Sequence, residues 1–141
     1  MIFGIGTDIV AIKRIEDGLL KHGDRFLHRI LSDTELAEYT KLNSSVNTHS
    51  ATRFVAKRFA AKESFSKAFG TGIGEVVGWH DVWVTHDTNG KPLIAVSPAL
   101  QLHLDAAGVS RVHLSISDEH DHAIAFVVLE SLNVGTTIGD E

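Results

Sequence analysis

The chain has 141 residues, 43% of them hydrophobic and 22% charged, which predicts one folded domain and argues against a disordered chain. Its net charge of −5 argues against a nucleic-acid partner. It contains no cysteine, so disulfides, thiolate nucleophiles and cysteine-ligated zinc are excluded, and a bound metal would need carboxylate or histidine ligands. No segment reaches the roughly 20 apolar residues of a transmembrane helix, and the first residues lack the pattern of a signal peptide, so we expect a cytoplasmic protein that does not bind membranes.

The N-terminal part of the sequence predicts one strand followed by helices. Residues 1–12 are apolar with interspersed glycines and predict a strand, and its two-residue period places an acid on an otherwise apolar face. That face carries Gly4, Gly6, Asp8 and Val10. Residues 12–20 predict a short amphipathic helix that ends near Gly23. Ser32 followed by Glu35 is the pattern of a capping box, so a further helix is predicted towards residue 39, with a loop over residues 43–48.

A long helix and a hairpin follow. The longest stretch of helical periodicity covers residues 51–69 and ends at the glycine-rich residues 70–74. Asn89-Gly90 is a strong hairpin signal, and it joins two predicted strands at residues 82–86 and 93–96.

The C-terminal part predicts a helix over residues 98–107 and a second hairpin with strands at residues 111–117 and 123–129. Because strands and helices are segregated along the chain, the predicted fold class is α+β, with an antiparallel sheet packed against the long helix. Residues 1–130 would form this single domain, and residues 131–141 a flexible tail.

The long helix carries an acid with two interpretations. Glu63 lies about 180° around the helix from Phe54 and so away from the main apolar stripe. The simplest interpretation is an exposed ion pair with Lys67, four residues further on. However, Phe59 and Ala60 lie on the same side as Glu63, which indicates that this face also packs, against another part of the protein or against another subunit. Basic residues cluster in the same segment, which is compatible with an anionic ligand: Arg53, Lys57, Arg58, Lys62 and Lys67.

The strand acid Asp8 also has two interpretations. An unpaired charge within an apolar strand is costly, so Asp8 either caps a turn or helix or is satisfied by a cation. Two carboxylates, together with phosphate oxygens and waters, would suit Mg²⁺, which seldom has an all-protein cage.

Two other motifs give weaker evidence for a functional site. The glycines at residues 70–74 follow a helix instead of preceding one, which argues against a Rossmann or P-loop phosphate site. His120 and His122 lie in a turn near His113 in sequence, and such a cluster without a helix-borne ligand motif is more often solvated than bound to zinc.

Four segments together resemble a known family. They are GIGTDIV at residues 4–10, RFAAKESFSKAFGTGIG at 58–74, NGKP at 89–92 and HLSIS at 113–117. In this order and spacing they resemble the holo-(acyl carrier protein) synthases, the short group of 4′-phosphopantetheinyl transferases, over residues 1–130. The resemblance implies the 4′-phosphopantetheinyl transferase fold, a homotrimer with active sites between subunits, and transfer of 4′-phosphopantetheine from coenzyme A to a serine of apo acyl carrier protein in fatty acid biosynthesis.

The resemblance also implies roles for individual residues. Asp8 and Glu63 would hold Mg²⁺ on the pyrophosphate of coenzyme A, and Lys67 would act with them in catalysis. Further residues would bind the cofactor: Lys62 by charge near the phosphates, Arg58 and His113 around the nucleotide, and Ser66, Gly70 and Pro92 along the groove. The proton acceptor for the serine stays open between Glu63, a metal-bound water and a nearby acid.

The carrier protein would meet a basic region that contains Arg14, Lys21 and Arg25. Each of these could equally be an ordinary solvent-exposed side chain on a helix.

The sequence departs from the commonest family pattern at Phe59, where tryptophan is frequent, at Ser64 and at residues 118–119. The alternative function is a catalytically inert trimeric module that binds a nucleotide or a carrier protein. A broader transferase for other carriers is disfavoured, since those chains are usually about twice as long.

Overall fold

A computed structural model describes residues 1–44 and 48–132. The elements in chain order are β1 (Ile2–Ala11), α1 (Ile12–His22), α2 (Asp24–Ile30), α3 (Asp33–Asn43), α4 (Thr48–Phe69), β2 (Val82–His86), β3 (Pro92–Val96), α5 (Pro98–Ala107), β4 (Val109–Asp118) and β5 (His122–Ser131). No helix within the described ranges is long and apolar enough to cross a bilayer.

The strands form two antiparallel sheets. One has three strands in the order β1-β5-β4, and the other is the β2-β3 hairpin. The helix α4 packs on β1 and β5 with one side and against α1, α2 and α3 with another. The predicted α+β class is therefore confirmed, and so is the expectation that α4 packs on two sides.

The contact between β1 and α4 is unusually close. A Cβ atom on Gly4 would lie 2.0 Å from the carbonyl oxygen of Ala68, and one on Gly6 would lie 2.0 Å from that of Ser64. Only glycine therefore fits at these two positions without moving the strand off the helix. The predicted alternation of β1 holds, because Gly6 and Val10 are buried on the helix side.

The predicted capping box begins α3. The Ser32 amide donates to Glu35 Oε1 at 3.0 Å, and the Glu35 amide donates to Ser32 Oγ at 3.4 Å. These bonds satisfy two backbone donors at the start of the helix. The carboxylate of Glu35 is also fully buried, which the capping pattern did not predict.

Some element boundaries differ from the sequence predictions. The helix α2 was not predicted, because seven residues are too few for a clear period, and its Leu27 and Ile30 are buried by tertiary packing instead. The helix α4 begins at Thr48 and not at residue 51. Of the predicted loop, residues 45–47 lie outside the described part of the chain. The strand β5 extends to Ser131, and residues 133–141 of the predicted tail also lie outside the described part.

Candidate active site

Two acids and a lysine meet where β1 crosses the C-terminal half of α4. Asp8 lies in the middle of β1, opposite Ala125 of β5, and its side chain is 15% exposed. The ammonium of Lys67 donates to Asp8 Oδ1 at 3.1 Å and to the carbonyl oxygen of Thr7 at 3.1 Å. Lys67 is therefore anchored to β1, which a simple exposed pair with Glu63 on the helix surface would not require.

The second carboxylate oxygen of Asp8 lacks a partner. Asp8 Oδ2 is buried and has no hydrogen-bond partner within the described residues. A buried, unsatisfied carboxylate oxygen costs free energy unless a cation or a donor reaches it. This orphaned oxygen is the feature of the site that most directly indicates a bound cation.

Glu63 lies close enough to Asp8 for the two charges to interact. Burial raises the pKa of Glu63, the negative charge of Asp8 raises it further, and the cations of Lys67 and Arg14 lower it. Two carboxylates that repel each other across a partly buried site are stabilised by a positive ion between them.

The donor set fits a magnesium ion better than zinc. No group of three or more histidine, cysteine, aspartate or glutamate side chains suited to a metal occurs in the described ranges. A cation at Asp8 and Glu63 would thus take two carboxylates from the chain and the remaining oxygens from a ligand or from water, which is the arrangement typical of Mg²⁺.

The end of α4 lies next to this site. The Ser66 hydroxyl donates to the carbonyl oxygen of Glu63 at 2.7 Å, and the amides of Gly70 and Gly72 donate to the Ser66 carbonyl at 3.0 and 3.2 Å. Gly70 has φ of 97° and is exposed, so it ends the helix and turns the chain away. Ser66 has no exposed surface within one chain, and its predicted place along the groove stays a prediction.

The side chain of Lys62 lies in the core of the chain, and its predicted role near the phosphates stays a prediction. Its ammonium is fully buried and donates to Glu35 Oε1 at 2.7 Å, to the Ile30 carbonyl at 2.6 Å and to the Trp79 carbonyl at 2.8 Å. Burial lowers the pKa of Lys62, and the charge of Glu35 opposes this shift. Within one chain, this ammonium already has three acceptors.

Arg58 belongs to the same buried group. Its guanidinium lies over the Phe54 ring at 4.3 Å, 3.8 Å from Glu35 Oε2 and 3.7 Å from Glu38 Oε2. Burial lowers the pKa of Arg58, and the charges of Glu35 and Glu38 raise it. Arg58 is only 4% exposed within one chain, and its predicted contact with the nucleotide stays a prediction.

His113 and Pro92 are separated from Asp8 within one chain. In the paired strands Ile116 lies beside Ala125 and Asp8, and His113, three residues from Ile116, must point to the opposite face of the sheet. There it lies 3.1 Å from Glu130 Oε1. Pro92 begins β3 in the other sheet, opposite His86. Neither residue joins the Asp8–Glu63 site from its own chain.

The basic residues predicted to meet a carrier are all exposed. Arg14 and Lys21 lie on α1, and Arg25 lies on α2. Sequence reasoning missed Arg29 and His22, which line a small surface pocket with Arg25 and Phe26. Their grouping depends on α2, and the four-residue spacing of Arg25 and Arg29 was the only signal for it.

Comparisons with known proteins agree on one family. A family model described as the 4′-phosphopantetheinyl transferase superfamily matches residues 4–127. The chain is 48% identical to the holo-[acyl-carrier-protein] synthase of Vibrio parahaemolyticus over 130 residues, which cover 92% of this chain and 98% of that protein. The crystal structure of the synthase from Neisseria meningitidis is similar with a TM-score of 0.85 and 46% identity, covering 93% of this chain and 100% of that one. The synthase from Bacillus anthracis in complex with CoA (3′,5′-ADP) has a TM-score of 0.75 and 44% identity, covering 93% of this chain and 98% of that one.

Proposed function

The chain belongs to the 4′-phosphopantetheinyl transferase superfamily, and from this membership we propose that it transfers 4′-phosphopantetheine from coenzyme A to a serine of apo acyl carrier protein, in support of fatty acid biosynthesis. The serine oxygen forms a bond to the β-phosphorus of coenzyme A, and the bond from that phosphorus to the oxygen bridging the α-phosphate breaks. Adenosine 3′,5′-bisphosphate leaves, and the serine proton is released. The unpaired Asp8 Oδ2 beside Glu63 is the observation that carries this proposal.

We propose that Asp8 and Glu63 hold Mg²⁺ against the pyrophosphate. When bound, the ion neutralises the charge that grows on the transferring phosphoryl group and the leaving group. The two carboxylates come from rigid elements, a strand and a helix in close contact, so their spacing is maintained without the ion.

We propose that the ammonium of Lys67 adds positive charge next to the phosphates. Its side chain is 51% exposed although its ammonium bonds to Asp8, so it can turn towards an anionic ligand without leaving the site. A lysine ammonium suits this task because it is a compact charge on a flexible stem.

We propose a homotrimer built on the outer face of the three-stranded sheet. This face carries large exposed apolar side chains on β1 and β5: Ile5, Ile9, Ile124 and Phe126. In the strand register Ile9 lies opposite Ile124, and Thr7 lies opposite Phe126, so these residues form one continuous patch. Apolar patches of this kind mark interfaces between proteins. His113 lies on the same face, and we propose that it joins the Asp8–Glu63 site of a neighbouring subunit.

The carrier protein would dock on the exposed basic residues of α1 and α2, namely Arg14, Lys21 and Arg25. Carrier proteins with an acidic surface would be attracted to this region, and opposite charges accelerate encounter more than they raise affinity.

A mass measurement tests the transfer. Purified protein, coenzyme A and Mg²⁺ are incubated with apo acyl carrier protein, and we expect the carrier to gain the mass of one phosphopantetheine. A reaction without coenzyme A and one with the carrier serine changed to alanine are the controls. A carrier that stays unmodified, while an active transferase modifies it under the same conditions, would contradict the proposal and favour the inert binding module.

A further inference from the structure

Arg14 does not extend freely into solvent, although it is exposed. Its guanidinium lies over the ring of Phe59, 5.3 Å from the ring centroid. The ring of Phe59 also contacts Trp79, with 5.1 Å between the two ring centroids. A cation above the face of an aromatic ring is attracted by the ring quadrupole, so Arg14 has a preferred position on this aromatic pair.

The aromatic pair is itself held in place from the core. Phe59 is 8% exposed and belongs to the hydrophobic core on α4. The backbone of Trp79 is tied to the interior because its carbonyl accepts from the buried ammonium of Lys62, which also pairs with Glu35. The surface that supports Arg14 is thus attached to the buried Lys62–Glu35 ion pair.

The position of Phe59 brings Arg14 to the candidate active site. Phe59 precedes Glu63 by four residues on α4, so the two side chains are neighbours on the helix surface. Arg14 and Lys67 therefore place two positive charges around the two carboxylates of Asp8 and Glu63.

We propose that Phe59 and Trp79 position Arg14 as a fixed charge of the Asp8–Glu63 site, where it weakens binding of a divalent cation that arrives without an anionic ligand. The two positive and two negative side chains balance, so a bare cation gains little net attraction. A cation that arrives with a diphosphate brings negative charge for Arg14 and Lys67 and is bound more strongly. The inference rests on the cation site of the proposed function and not on the transfer reaction.

Titration of the protein with Mn²⁺, with free Mn²⁺ followed by electron paramagnetic resonance, tests this inference without any turnover. Arg14→Gln should raise the Mn²⁺ affinity of the protein without coenzyme A roughly threefold to tenfold, as expected for removal of one like charge near the site. Phe59→Leu, which removes the ring face, should also raise the Mn²⁺ affinity, by no more than Arg14→Gln does. The double variant should match Arg14→Gln alone, because Phe59 acts only through Arg14.

Two control variants isolate the cause. Lys13→Gln makes the same charge change one residue away, at a side chain that is 84% exposed and paired with Asp17, and it should leave the affinity unchanged. Phe59→Trp keeps an aromatic face and should behave as wild type. If Phe59→Leu fails to fold, Trp79→Leu replaces it, since the bond from Lys62 to the Trp79 backbone is retained.

The inference is overturned if Arg14→Gln leaves the Mn²⁺ affinity unchanged, if Phe59→Leu has no effect, if the two effects add fully, or if no variant binds Mn²⁺. The transferase assay on the wild-type protein is a separate result. Expected Mn²⁺ affinities without transfer would contradict the proposed reaction alone, and transfer with unchanged Mn²⁺ affinities would contradict the inference alone.

Discussion

Lys67 Nζ lies 3.1 Å from Asp8 Oδ1, although the two residues are 59 positions apart in the chain. The bond leaves Asp8 Oδ2 buried without a partner among the described residues. Lys67 thus satisfies one oxygen of Asp8, and the other oxygen has no hydrogen-bond partner among the described residues.

Removing either carboxylate charge should stop catalysis without unfolding the protein. Asp8→Asn and Glu63→Gln keep the shape of the side chains, and we expect each to lower the transfer rate by about 100-fold or more, because the charge stabilisation supplied by a metal amounts to several kcal/mol. The rate is measured by mass spectrometry of the carrier, and the fold by circular dichroism. Asp17→Asn is the matched control, since Asp17 is 61% exposed and lies in a surface pair. Near-normal turnover in either variant would rule out metal ligation by that side chain.

Lys62 should matter for stability and not for phosphate binding. Lys62→Met removes one partner of a fully buried ion pair and leaves Glu35 with only Arg58 as a nearby cation among the described residues, at 3.8 Å, which should cost up to about 3–5 kcal/mol of unfolding free energy. We expect the folded fraction to keep a turnover number close to wild type. Urea unfolding and kcat, measured at a temperature where the variant is folded, check both statements. A stable variant with a large loss of kcat would instead support the prediction that Lys62 serves the phosphates.

Lys62 and Glu63 show that the environment of a helical side chain cannot always be predicted from the local sequence. Helical geometry separates two successive side chains by only about 100°, yet Lys62 enters the core and Glu63 faces Asp8. The difference depends on acceptors at Ile30, Glu35 and Trp79, which are 17 to 32 positions away in the chain. No local pattern contains that information.

Features with a local signal were predicted well. The capping box at Ser32 and Glu35, the alternation of β1 and the two hairpins each depend on residues close in sequence, and all are present. The helix α2 had no such signal. The side of the sheet on which His113 lies could be assigned only once the register of β4 against β5 was known.

Subunit mixing should show whether His113 serves a neighbouring subunit. Asp8→Asn and His113→Ala should each lower transfer when tested alone. When the two chains are co-expressed, an interface that joins Asp8 of one chain to His113 of the other is complete, so activity should recover to a substantial fraction of wild type. Phe126→Glu provides the control, because it places a charge in the apolar patch. It should dissociate the oligomer in analytical ultracentrifugation and should prevent recovery. Without recovery in an intact oligomer, His113 does not act across the interface.

The close approach of β1 to α4 should make Gly6 intolerant of any side chain. In Gly6→Ala the new Cβ would meet the Ser64 carbonyl oxygen at 2.0 Å and the Ala68 amide nitrogen at 2.6 Å, and both are backbone atoms that cannot turn aside. The strand must therefore move away from the helix, which costs about 1–3 kcal/mol or more by overpacking. Because Asp8 is two residues further along the same face of β1, the same movement separates Asp8 from Glu63 and Lys67. We expect lower stability in urea and a loss of transfer that added Mg²⁺ restores only in part.

Gly74→Ala is the matched control for Gly6→Ala, because a Cβ there meets nothing within 4 Å, and it should keep both stability and activity. Equal behaviour of the two variants would mean that the spacing of β1 and α4 does not set the geometry of the site.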